Sequence, residues 1–114
     1  MPERVSAWVK EMAEYRKDFE SSAERRSSDG SPYYGERHRT EQFVRADIYA
    51  NFIRLAFEAH DAGKSEVEIF DILRNHAKTE LDILRGMMEQ NSFDRISYIY
   101  YDMVLNRIDW YARS

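Results

Sequence analysis

Apolar residues recur every three or four positions along most of this chain, and no stretch alternates at period two for long enough to make a strand. Val5, Trp8, Val9, Met12, Tyr15, Phe19 and Ala23 fill a stripe about 120° wide on a helical wheel, with Lys, Glu and Arg elsewhere. Pro2 suits the first turn, where its missing N–H costs nothing. The pattern predicts an amphipathic helix over 3–26. Ser27-Ser28-Asp29-Gly30-Ser31-Pro32 breaks it, and Tyr33-Tyr34-Gly35 extends the break into a loop over 27–37.

A second helix is expected over 38–62, stopped by a left-handed Gly63. Its polar residues Asp47, Asn51, Arg54, Glu58 and Asp61 fall within about 80° of one another, so most of its circumference is apolar. Ser65-Glu66-Val67-Glu68 has the spacing of a capping box and opens a third helix over 66–90. Asn91-Ser92 then caps a fourth over 93–112, with Asp94 near its positive end. The short joints between helices two and three, and three and four, predict antiparallel neighbours.

Helix four is the unusual element. Arg95, Asp102, Asn106, Asp109 and Arg113 share one stripe about 60° wide, and nearly everything else is Phe, Ile, Tyr, Met, Val, Leu or Trp. A surface helix normally shows one apolar stripe, whereas helices two and four each need cover on more than one side. The expected architecture is therefore an all-α four-helix bundle that forms a homodimer. Its interface is expected on Tyr98, Tyr101, Leu105, Ile108, Trp110 and Tyr111, aromatic and aliphatic residues of the kind shared interfaces favour. The competing arrangement is a monomer with helix four at its centre.

Composition narrows the classes. The chain of 114 residues suits one domain, and 17 basic against 21 acidic residues leave a net charge of −4, which argues mildly against a dedicated nucleic-acid binder. The absence of cysteine removes disulfides, thiol nucleophiles and cysteine metal sites. No run approaches the roughly 18 apolar residues of a membrane span, and the N-terminus has no secretory pattern, so a cytoplasmic protein without a membrane partner is expected. Phosphate loops, nucleophile elbows and calcium loops are missing, and no cofactor is expected.

Three constellations remain. His76 and Glu80 lie one turn apart in the apolar arc of helix three, a spacing used by helical metal sites, but such sites need further ligands on facing helices. In a hairpin about Gly63, His60 and His76 stand ~5 and ~16 Å from the turn and cannot share a metal. Glu80 is therefore expected to form a buried or interfacial ion pair with Arg45, within about a turn of its level on helix two. The segment from Arg25 to Arg45 gathers cations (Arg25, Arg26, Arg37, His38, Arg39) around Tyr33 and Tyr34, and is the expected partner-binding loop.

Arg54 and His60 form an Arg-x5-His spacing that resembles the Arg-x4-6-His motif of HEPN ribonucleases, which are small helical dimers. That resemblance implies RNA cleavage by Arg54 and His60 paired across a dimer. It covers two residues, Leu55 follows where the family is usually polar, and the two side chains point about 120° apart on a regular helix. The expected function is a non-enzymatic interaction protein: an adaptor, an inhibitor or antitoxin-like regulator such as a phage-encoded anti-defence protein, or a small subunit of a complex. The alternatives are the HEPN-like ribonuclease and a nucleic-acid-binding subunit using the Arg25–Arg45 loop.

Overall fold

A computed structural model describes residues 1–87 and 91–114. Among these the chain forms four helices and no strand: α1 (Glu3–Ala23), α2 (Glu36–Asp61), α3 (Glu66–Arg85) and α4 (Ser92–Arg113). Their packing is that of a helical bundle, with α1 laid most extensively on α2 and α3 on α4.

The helix ends follow local chemistry. Gly63 takes φ +78°, and its N–H and that of Lys64 donate to His60 O (2.9 Å) and Ala59 O (3.1 Å), a Schellman stop. The Ser65–Glu68 capping box is complete in both directions, at 3.2 Å and 3.0 Å. Asn91 Oδ1 accepts from the Asp94 N–H at 2.9 Å and so caps α4. α1 stops at Ala23 rather than residue 26, because the Tyr33 N–H donates to Arg25 O (2.8 Å) and Arg26 bridges Pro32, which draws both arginines out of the helix. α3 ends at Arg85, before Gly86. Its expected continuation over 88–90 lies outside the described residues.

The core is built on Trp8, Met12, Phe52, Ile69, Leu73, Val104 and Ile108, all fully buried. Trp8 meets Phe52 edge-on at 6.3 Å, and Phe52 meets Tyr101 at 5.6 Å, so rings from α1, α2 and α4 share one cluster. The tight turn at Gly63 does not make α2 and α3 each other's main partners. The apolar face of α2 is filled by α1 and α4, through Tyr49 on Phe19 and on Tyr100 as well as through Phe52. The bundle is drawn out: its radius of gyration is 15.5 Å, against about 13 Å for a compact chain of this length.

Candidate functional site

α4 carries apolar side chains on two opposite sides. Tyr101, Val104 and Ile108 point into the core, whereas Ile99, Met103 and Trp110 are 53%, 47% and 54% exposed. On a helical wheel the exposed three fall within about 40° of one another, centred roughly 150° from the buried three. Two of the residues expected at a dimer interface are thus spent inside the chain itself: Tyr101 and Ile108 cannot reach a second molecule. Tyr98, Leu105 and Tyr111 are half-buried against the same core, and of the expected set only Trp110 stands out from the surface. Sequence alone could not separate the sides, because apolar residues occupy both.

Charged side chains on the flanks of α4 fix its rotation. Arg107 grips Glu11 of α1 with two hydrogen bonds, 2.7 Å from Nε and 2.5 Å from Nη2, and the Tyr111 hydroxyl donates to the same carboxylate at 3.1 Å. These donors, Arg107 first, hold the Glu11 carboxyl below the usual carboxylate range despite partial burial. Arg74 Nε donates to Asp109 at 2.8 Å and ties α3 to the other flank. The sequence reading missed the Arg107–Glu11 clamp. Its only sequence signal is a cation at the edge of an aromatic arc and an acid at the edge of the α1 stripe.

Beside Met103 opens a groove of roughly 390 Å³ between α1, α2 and α4. Tyr15, Phe19, Tyr49 and Tyr100 form its aromatic walls, with Met103 and Arg107 on the α4 side. Burial pushes the Tyr49 hydroxyl well above its ordinary value, so it stays neutral. Tyr101, on the core side of α4, is pushed up to about 12, mainly by burial and then by the charge of Glu80.

Arg45 packs over Tyr100 and Phe19, two of the groove's rings, and not against Glu80. Its guanidinium lies 5.3 Å from the Tyr100 ring and 5.9 Å from Phe19, and Nη1 donates to Gln42 at 2.5 Å. No ion pair joins Arg45 to Glu80. The expectation rested on α2 and α3 facing each other closely at that level. α2 instead turns Arg45 toward α1 and α4, where aromatic faces replace the carboxylate.

The loop between α1 and α2 is tightly organised. Asp29 accepts from the Ser31 N–H and from the hydroxyls of Ser31 and Ser27, and these bonds, Ser31's first, draw its carboxyl down to about 2. Gly30 turns the chain with φ +85°. Arg25 covers the Tyr33 ring at 4.1 Å, Tyr33 meets Tyr34 edge-on at 4.9 Å, and Tyr34 packs on His38 at 4.2 Å. The structure therefore brings the expected loop residues together at one end of the bundle. It also assigns two of them structural work: Arg39 Nε donates to Ala23 O (3.0 Å), and Arg37 reaches Ser92 Oγ at the start of α4 (2.7 Å). Arg25, Arg26 and His38 remain exposed there.

The other expected constellations stay apart. Arg54 is paired with Glu58 at 2.8 Å, and no hydrogen bond or ion pair joins it to His60 in the last turn of α2. His76 sits by Phe52 (5.2 Å) and Tyr101 (6.1 Å). Among the described residues no group of three or more His, Asp or Glu side chains is placed to hold a metal, and no helix is long and apolar enough to cross a membrane. In comparisons with known proteins, no family model, no curated protein and no solved structure matches the chain.

Proposed function

We propose that this protein is a small non-enzymatic interaction module, working as a homodimer that presents its Arg–Tyr end to another protein. The observation that carries this reading is the pair of opposed apolar faces on α4. One face completes the chain's own core, and the other leaves Ile99, Met103 and Trp110 in water. Single exposed apolar residues are ordinary, but several aligned along one helix mark an interaction surface. The drawn-out shape of the bundle supports the same reading.

The cation-rich end supplies a second surface of different chemistry. Arg25 and Arg26 stand exposed beside Tyr33, a pairing of charge and ring suited to an acidic partner surface. The reading is tested by measuring mass in solution by light scattering over a range of concentrations. A mass rising toward twice the 13.7 kDa of one chain is the expected result. A constant 13.7 kDa up to hundreds of micromolar would refute the homodimer.

A further inference from the structure

The outer face of α4 does more than expose apolar side chains: its charges match it to a second copy of itself. Take Ile99 as zero on the wheel, with about 100° per residue. Met103 and Trp110 then lean to one side, at about 40° and 20°, toward the aromatic groove. Asp102 and Arg113 lie on the other side, at about −60° and −40°. Both are exposed, and no hydrogen bond or ion pair engages either. Arg107 stacks under the Trp110 indole at 4.5 Å and holds that ring on the groove side.

We infer that two copies pair through α4 in antiparallel fashion about a two-fold axis passing near Asn106, an inference that rests on the homodimer proposed above. A two-fold of this kind sets equivalent flanks side by side with the helices running in opposite directions. Trp110 then meets Met103 of the second copy at the mouth of its groove, and Met103 meets the second copy's Trp110. On the opposite flank Asp102 comes within about two residues of rise, ~3 Å, of Arg113 of the second copy. This gives two symmetric ion pairs. A parallel two-fold would instead set Asp102 and Arg113 beside the Met103 and Trp110 flank of the second copy, leaving both charges unpaired against apolar side chains, and would align the helix dipoles unfavourably. Antiparallel pairing is the arrangement the charges select.

Magnitude sets the strength. A helix of 22 residues is about 33 Å long and about 10 Å across, so its face offers on the order of 300 Å² in projection. Stable interfaces use about 800 Å² from each partner. The groove rim around Met103 and Tyr15 adds to the helix face, and a face of this size makes a weak, dissociable dimer.

The chain has no cysteine, so single introduced thiols report the pairing cleanly. Asn106→Cys sits beside the two-fold axis and should crosslink to itself with a short bismaleimide. Ile99→Cys is carried about 22 Å from its mate along the axis and should not. Trp110→Ala, on an exposed side chain, should leave the circular dichroism unchanged and weaken the dimer by at least about thirtyfold, the factor for a buried interface anchor. Asp102→Arg should weaken it about fivefold, and adding Arg113→Asp should restore it. If Ile99→Cys crosslinks as well as Asn106→Cys, or the charge exchange has no effect on a dimer that does form, the antiparallel pairing is overturned while the homodimer stands. A chain that stays monomeric throughout overturns both.

Discussion

The chain's two tryptophans show how differently its first and last helices are finished. Trp8 of α1 is fully buried, edge-on to Phe52, in a helix whose remaining surface is mostly charged and polar. Trp110 of α4 is 54% exposed, on the side of its helix away from Val104 and Ile108. α1 buries one stripe and leaves Tyr15, at the groove rim, as its one large exposed apolar side chain. α4 has filled its inner side and still carries apolar surface on its outer one. Two helices of similar length, one with three aromatic rings and the other with six, thus differ in what they leave in water, and on the proposed reading α1 serves folding chiefly and α4 both folding and association.

That contrast can be broken experimentally, beginning with the largest effect. Ile108→Ala, on the inner side of α4, removes a fully buried side chain and should cost about 2–5 kcal/mol in denaturant unfolding of the dilute chain. Glu11→Gln unmakes the charged clamp between α1 and α4, with an expected loss of about 1–2 kcal/mol because the pair is partly solvated. Glu11 also gives the clamp a pH signature. Its folded-state pKa is lowered from the ordinary 4.5. Its stabilisation is therefore complete above about pH 5 and is lost as pH falls through the lowered value. Acid titrations of stability should show a shallower decline in Glu11→Gln than in the unaltered chain.

Smaller effects sharpen the comparison. Ser65→Ala removes the hydroxyl half of the α3 capping box and should cost about 1 kcal/mol, read by thermal unfolding, with no change in association. Trp110→Ala should cost less than about 0.5 kcal/mol in the dilute monomer, since it deletes an exposed side chain. Inner and outer sides of one helix would then differ several-fold in their contribution to folding and in the opposite sense in their contribution to association.

Much of the fold was legible because it rests on local signals. The 3.6-residue period of Val5, Trp8 and Met12, the Gly63 stop, the Ser65–Glu68 box and the Asn91 cap each act within a turn or two of their own position. The candidate site was legible only in outline. The excess of apolar residues on α4 was plain, but which of them face inward depends on Glu11 and Arg74, which lie far away in sequence and lock the rotation of the helix through Arg107 and Asp109. Within the chain Arg45 and Glu80 stay unpaired with each other for the same reason. Their expected pairing extrapolated a hairpin from a short turn, whereas α2 turns its Arg45 edge to the rings of α1 and α4. In the α1–α2 loop, composition revealed the cluster of cations and tyrosines but not that Arg37 and Arg39 are engaged by Ser92 and by the carbonyl of Ala23.

The most direct test of the claim that the outer side of α4 is an interface uses the two tryptophans themselves. With 5-fluorotryptophan incorporated at both positions, fluorine NMR gives one resonance from Trp8 and one from Trp110, assigned with Trp110→Phe. Across a titration from low to hundreds of micromolar, the Trp110 signal should shift and lose its sensitivity to solvent deuteration while the Trp8 signal stays fixed. A Trp110 resonance that keeps its position and its full solvent response at every concentration would contradict the account.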